Sequence, residues 1–393
     1  MVDDDRMTSK VDRRKVLQGL AVAPLVARGW WAEATKLVGG EGTLFVGTQT
    51  KGTSKGIYAY RWNAAKGEIA LIGLAAETES PTFLAASPDA KYLYAANEVD
   101  SFHGATGGGV SSFVVDAKAG KLTAINAVSA TGKGTCHVAV DKTGHAVFCA
   151  NYSGGSAASF HVKADGGLTD AVWHFQYTGH GPTPQQEMPH AHRVTVSPDN
   201  RFVLVNDLGL DCIHIYALDA ATAKLTPHDP PQWNSEPGTG PRALRFHPNG
   251  KWVYCILEMG SAVDVLRWDA QAGTLTTVQT VSLIPDGYKG NHAGSEIVLD
   301  RSGRFAYASD RFDDVLVSFR VDPATGKLTL LGHSKYGGKT PRHIALDPTE
   351  RWMLVANQDS DNISVVKRDT KTGLLAETGK DFPIVKPQCL VFV

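Results

Sequence analysis

Polar turns interrupt the apolar stretches of this chain at nearly regular intervals, and one phrase recurs: a short apolar run, a polar turn carrying Pro, Asp or Gly, and a second short apolar run. It reads clearly from Phe83 to Asn97, where Phe83-Leu84-Ala85-Ala86 and Tyr92-Leu93-Tyr94-Ala95-Ala96 flank Ser87-Pro88-Asp89-Ala90-Lys91. Matching versions end at Asn151, Asp207, Leu257, Asp310 and Asn357, and a truncated first copy, Leu44-Phe45-Val46-Gly47-Thr48, ends at Thr48. Runs this short, bounded by Pro, Gly and Asp, predict strands rather than helices. Successive copies end 47 to 56 residues apart. That period suits four short strands with loops, whereas helical solenoid units are generally shorter and show a 3.6-residue period.

A third strand follows each phrase, as in Gly109-Val110-Ser111-Ser112-Phe113-Val114-Val115, and a turn such as Gly120-Lys121-Leu122-Thr123 or Gly326-Lys327-Leu328-Thr329 opens a fourth. Seven such units predict an all-β fold, a seven-bladed β-propeller, in which radial repetition leaves only short, protected sheet edges. The two ends of the chain support closure of the ring. Pro387-Gln388-Cys389-Leu390-Val391-Phe392-Val393 reads like the innermost strand of the other units, for example Pro241-Arg242-Ala243-Leu244-Arg245-Phe246-His247. The first unit, starting near Thr43, lacks that strand, so the C-terminus is expected to complete the N-terminal blade.

Composition narrows the picture without changing it. Of 393 residues, 42% are hydrophobic and 20% charged, a mixture able to bury a large core, and the 40 glycines and 19 prolines are spread along the chain as many tight turns require. Lys plus Arg (39) nearly balances Asp plus Glu (40), so no global field favours nucleic acid or an anionic membrane, and any charge recognition must be local. The five cysteines are odd in number, widely spaced and without a C-x-x-C pair. They are read as buried inert thiols, with no disulfide and no metal or redox centre assigned.

The propeller is expected to span 42–393. Residues 1–34 have a different grammar: Arg13-Arg14 precedes an apolar stretch from Leu20 to Ala27, and Ala32-Glu33-Ala34 offers a small-x-small cleavage site. This is the order of a twin-arginine export signal. The stretch is shorter than the ~20 residues a membrane-spanning helix needs and is interrupted by Pro24 and Arg28. A periplasmic protein with no membrane attachment after processing is the expectation, with a cytoplasmic protein bearing an amphiphilic tail as the alternative. A closed ring needs no partner, so a monomer is expected.

Aligning the innermost strands places Thr82, Cys136, His192, Arg242, Ser295, Arg342 and Gln388 in one column, and Phe83, His137, Arg193, Ala243, Glu296, His343 and Cys389 in the next. The residues after each second strand are Gln49, Glu98, Tyr152, Leu208, Glu258, Arg311 and Gln358. Entry to strand one and exit from strand two share an edge in an antiparallel pair, so all three columns fall at one end of the ring. Polar groups concentrate on three consecutive blades: His190 and His192, then Arg242 and Glu258, then Glu296 and Arg311. Imidazole, carboxylate and guanidinium are the parts needed for acid–base work on an ester-like or carboxylate-bearing substrate, with arginine supplying forked donors. Each also has a structural reading: the histidines as channel lining bonded to backbone, Arg242 with Glu258 as a plain ion pair, and Arg342 with His343 as a repeat of the Arg242 pattern. The spacing of His190 and His192 finds no third metal ligand. Glu98, His103 and Gly107-Gly108-Gly109 read as a mobile loop at the mouth, and 207–211 as a turn.

Pro189-His190-Ala191-His192, Asp207-Leu208-Gly209, Gly240-Pro241-Arg242, His247-Pro248-Asn249-Gly250-Lys251, Glu258, Gly294-Ser295-Glu296-Ile297 and Ser309-Asp310-Arg311 together resemble the seven-bladed propeller lactonase family, which includes bacterial 6-phosphogluconolactonases and a fungal carboxymuconate-lactonizing cycloisomerase. The order and spacing carry the resemblance, including the sixteen-residue step from Arg242 to Glu258, and it covers about residues 42 to 393. It implies a catalytic set of His190 or His192, Arg242, Glu258 and Arg311, with Glu296, Arg193 and Arg342 as further substrate-binding candidates. The chain departs from the family in having Ser309-Asp310-Arg311-Phe312 where Asn-Arg-Gly is common, and Ile297-Val298 where a histidine often follows.

The resemblance implies hydrolysis of a sugar-type lactone without metal or cofactor. Glu258 or a histidine would activate water, and Arg242 and Arg311 would hold the oxyanion. Two other classes remain: a lactonizing cycloisomerase, which product analysis separates, and a propeller that only binds a small ligand, since fold does not imply function.

Overall fold

The recurring phrase becomes a recurring hairpin because its turn residues close it. A computed structural model describes residue 1 and residues 41–285, 287–290, 293–311 and 313–393; the export-signal reading falls outside the described residues. In the copy that reads most clearly, Pro81–Ala86 pairs antiparallel with Tyr92–Asn97, and Ser87 Oγ accepts the N–H of Tyr92 at 3.0 Å. Asp141, Asp300 and Asp347 do the same for the N–H groups of Ala146, Phe305 and Trp352 at 2.9, 3.0 and 2.9 Å. Short polar side chains that bond nearby backbone amides are what favours a turn there. The outer turns use a second device: Asp322 Oδ1 accepts the amides of Ala324 and Thr325, and Gly326 takes φ +70°, a left-handed conformation that costs glycine little.

Among the described residues these hairpins build seven four-stranded antiparallel sheets and one two-stranded ribbon. The ribbon, Ser101–Phe102 with Ala105–Thr106, occupies the segment expected to be a mobile mouth loop. Phe102 is buried, packs against Gly109 and stacks on His103 at 4.1 Å. An apolar anchor in the middle of a polar, glycine-rich segment gives it a defined seat. The one helix among the described residues is a 3-10 turn, Pro184–Gln186.

Blade 1 is closed as the chain ends implied. Its strands order as Glu68–Glu77, Gly56–Asn63, Glu41–Thr48 and Pro387–Phe392, with Leu44 facing Phe392 and Val46 facing Leu390. Each innermost strand touches the next around the ring, and Pro387–Phe392 touches Pro81–Ala86 to complete the circle. The apolar core lies between neighbouring blades: Tyr254, Ile256 and Val263 of the fifth meet Ile297, Ala308 and Phe319 of the sixth. All five cysteines are free and buried.

One irregularity repeats in every blade and positions the site. Pro81 faces Asn97 and Phe83 faces Ala96, which leaves Thr82 as an extra residue in the innermost strand. The same slip occurs at Cys136, His192, Arg242, Arg342 and Gln388, and at Ser295–Glu296. A bulge re-aims side chains that strict alternation would send to opposite faces. Consecutive residues such as Cys136 and His137, or His192 and Arg193, therefore both line the channel.

Candidate active site

The channel mouth holds a cleft, open to solvent, whose lining comes from the bulged ends of innermost strands. Beside it the chain brings together three residues from two blades. Glu258 Oε2 lies 2.8 Å from Arg242 Nε, and Glu258 Oε1 lies 2.7 Å from Arg311 Nη2. Backbone bonds hold the carriers: the Glu258 N–H donates to Gly240 O, the Gly294 N–H to Glu258 O, and the Arg311 N–H to Ala293 O. Arg242, 4% exposed, also donates to the Ser295 carbonyl. The Arg342 guanidinium lines the same cavity and has no ion pair or hydrogen bond to any described residue, so three cations share one carboxylate.

His192 faces this group from the fourth blade, buried and edge-on to the Tyr152 ring at 5.6 Å. Burial, with repulsion from Arg242, Arg342 and Arg311, holds its imidazole well below the ordinary 6.5, so it is neutral at physiological pH. Burial pushes the Glu258 carboxyl up, but Arg311 and Arg242, with Arg342 behind them, outweigh it and keep the group below its usual value, a standing anion. His190 is placed differently from His192. Its ring stacks on Tyr152 at 4.4 Å, its Nδ1 faces Tyr152 O at 3.1 Å, its N–H donates to Asp207 Oδ1, and it does not line the cavity.

A second charged group sits further along the same strands. Arg193 Nη1 donates to both oxygens of Glu296, at 2.9 and 2.8 Å; Arg245 Nη2 is 3.5 Å and His343 Nε2 3.8 Å from the same carboxylate. Glu296 is 1% exposed. Burial works against its charge, but Arg193 foremost, then Arg245 and His343, hold the carboxyl far below the ordinary range. Phe83 packs among these groups: the His137 ring lies 4.0 Å away, the Arg193 guanidinium carbon 5.4 Å and the His343 ring 5.6 Å. His137, Thr82, Phe83 and Gln388 stand in the aligned columns, but the sequence reading did not select them as site residues. The signal available was column position, since each occupies the place taken by His192 or Arg193 in the fourth blade.

The depressed histidines predict acid sensitivity. His343 is lowered from 6.5 to about 4, chiefly by burial, and His137 and His192 well below 6.5. Above pH 6.5 these groups are neutral in both folded and unfolded chains. As pH falls from 6.5 to about 4 the unfolded chain takes up protons that the folded one refuses, so stability declines. For His343 alone the whole shift corresponds to about 3 kcal/mol. Denaturant midpoints measured at pH 7 and pH 5 are expected to drop at the lower pH, and His343→Gln is expected to flatten that drop; an unchanged midpoint in the wild type would contradict the burial of neutral imidazoles.

With this geometry in place, comparison with known proteins identifies its type: a profile of the family described as lactonase, seven-bladed β-propeller, matches residues 43–392. The chain belongs to that lactonase family. It is 33% identical over 360 residues to the 6-phosphogluconolactonase of Bacillus subtilis, covering 91% of this chain and 99% of the relative. It is 31% identical over 347 residues to that of Formosa agariphila, covering 87% and 96%. The solved structure of a periplasmic gluconolactonase from Pseudomonas aeruginosa superposes with a TM-score of 0.84 at 33% identity, covering 90% of this chain and 99% of that one. In this lactonase-family propeller Glu258 contacts both Arg242 and Arg311, and His192 lies on the adjoining cavity wall.

Proposed function

We propose that the protein hydrolyses a sugar-type lactone of the 6-phosphogluconolactonase or gluconolactonase kind. The observation that carries this reading is the clamp of Glu258 between Arg242 and Arg311, beside a cavity that also presents a neutral His192 and Arg342, which pairs with no carboxylate among the described residues. A carboxylate shared by two guanidinium groups is a poor proton acceptor, because both cations stabilise its charged form. Glu258 therefore orients the two arginines so that their remaining N–H groups face the carbonyl of the lactone. The neutral imidazole of His192 accepts the proton of the attacking water. The tetrahedral oxyanion forms among the guanidinium groups, where preorganised, largely buried donors meet it. Collapse of that intermediate breaks the ring C–O bond, the imidazolium returns its proton to the departing oxygen, and the new carboxylic acid releases its own proton to solvent, which leaves a carboxylate facing Arg342. No step in this scheme uses a metal.

The test is proton release followed by pH-stat on glucono-δ-lactone and its 6-phosphate. Hydrolysis well above the spontaneous rate is expected for at least one, with His192→Gln slower by on the order of 10²- to 10⁴-fold. A wild-type rate equal to the spontaneous one on both would sink the reading.

A further inference from the structure

Arg242 of blade five marks one side of the cavity, with Glu258 and Arg311 beside it and outside its lining. Across the channel lie five polar side chains, Thr82, His137, Arg193, His343 and Gln388, each no more than 5% exposed. Each has a buried polar atom without a hydrogen-bond partner: Thr82 Oγ1, His137 Nε2, Arg193 Nε, His343 Nδ1 and Gln388 Oε1. Buried polar groups in folded proteins are nearly always paired, and an unmet one is costly. Five lining one cavity mark a ligand surface.

The hydrogen-bonding roles of these atoms follow from their other contacts. Gln388 Nε2 donates to Pro387 O at 3.1 Å, so its Oε1 is left to accept. His137 Nδ1 accepts the Val194 N–H at 3.4 Å, which puts the ring proton on Nε2 as a donor. His343 Nε2 lies 3.8 Å from Glu296, beyond hydrogen-bond reach, so its Nδ1 can donate or accept with the tautomer. Arg193 Nε can only donate, and the Thr82 hydroxyl does either. The surface therefore offers one acceptor, two donors and two groups able to take either role, around the apolar face of Phe83.

A carboxylate or a fully ionised phosphate ester only accepts, so it would leave Gln388 Oε1 unmet, and Glu296 already occupies the cationic face of Arg193. A hydroxyl both donates and accepts. We propose that this half of the cavity is a polyol subsite, built by Thr82, His137, Arg193, His343 and Gln388, that holds the neutral hydroxylated arm of the substrate. The proposal deepens the lactonase reading and rests on it only for which end of the sugar faces Arg242.

The probe is 1,5-anhydroglucitol, which carries the hydroxyl pattern of glucono-δ-lactone on a ring with no carbonyl to hydrolyse, titrated by ligand-observed NMR. Binding to the wild type is expected. Thr82→Val and Gln388→Leu should each weaken it by about 3- to 10-fold, the range of one neutral hydrogen bond. Thr82→Val is nearly isosteric, so it keeps the test valid if Gln388→Leu disturbs the ring. Glu258→Gln should change polyol affinity by less than either. Inorganic phosphate, titrated in parallel at constant ionic strength, should show no sensitivity to the Thr82 or Gln388 substitutions. Absence of polyol binding, binding unchanged in Thr82→Val, or phosphate affinity that falls in both variants would overturn the subsite. Polyol binding with the expected variant pattern but no lactone turnover would sink the lactonase reading and leave the subsite standing; turnover without polyol binding would do the reverse.

Discussion

Glu258→Gln and Arg242→Lys will each lower lactone turnover by on the order of 10²- to 10³-fold, the loss typical of removing one preorganised donor from an oxyanion site. In Glu258→Gln the carboxylate that holds Arg242 at 2.8 Å and Arg311 at 2.7 Å becomes a neutral amide. The two guanidinium groups, with Arg342 nearby, then repel one another without a counter-charge and lose their aim. Arg242→Lys keeps the charge but removes the planar fork, which a point charge on a flexible stem does not replace. Arg242 is 4% exposed, so stability must be followed as well: breaking one partner of a buried pair costs about 3–5 kcal/mol. The prediction is checked by kcat/KM on the lactone that the wild type accepts, alongside a denaturation curve showing a cooperative transition. Wild-type rates in both variants would remove the clamp from the mechanism.

Deleting residues 387–393 will abolish cooperative folding. That segment supplies the innermost strand of blade 1, and Cys389, Leu390 and Val393 are no more than 5% exposed. Burying a large apolar side chain contributes about 1.5–3 kcal/mol. The loss of several, together with the ladder to Glu41–Thr48, approaches the whole net stability of a typical domain, roughly 5–15 kcal/mol. Position distinguishes this from loss of any seven residues. Val393 exchanges backbone bonds with Thr43 in both directions, so a permuted chain carrying 387–393 ahead of Glu41 on a short linker restores the hairpin order of the other six blades. The truncated chain is expected to be insoluble or to unfold without a transition, and the permuted chain to recover a transition near the wild type's. A truncated chain as stable as the full one would mean that the ring does not depend on this closure.

Much of the architecture was legible because it depends on local pattern repeated many times. Seven similar phrases, each able to form its own hairpin with its own turn acceptor such as Ser87 or Asp141, needed no long-range information. The orphan strand at the C-terminus and the missing one at the N-terminus could be matched by sequence alone. The aligned columns placed Arg242, Glu258 and Arg311 at one end of the ring, and the contacts of Glu258 join them there. The segment containing Phe102 was harder to read: its composition suggested a loop, while burial of one aromatic ring gives it a ribbon.

What the chain by itself determined is the repeat, the number of blades, the closure of the ring and the set of polar residues at one mouth, because strand period and turn chemistry act over a few neighbouring residues. Tertiary structure decided how those residues are used. Arg193 and Glu296 are 103 positions apart and meet through two oxygens; Arg342 repeats the motif of Arg242 yet pairs with no carboxylate among the described residues; His190 and His192 are two residues apart, but only one lines the cavity. Charge pairing, the neutrality of buried imidazoles and the second side chain that each bulge turns inward depend on distance and desolvation across blades, quantities that no spacing along the chain encodes.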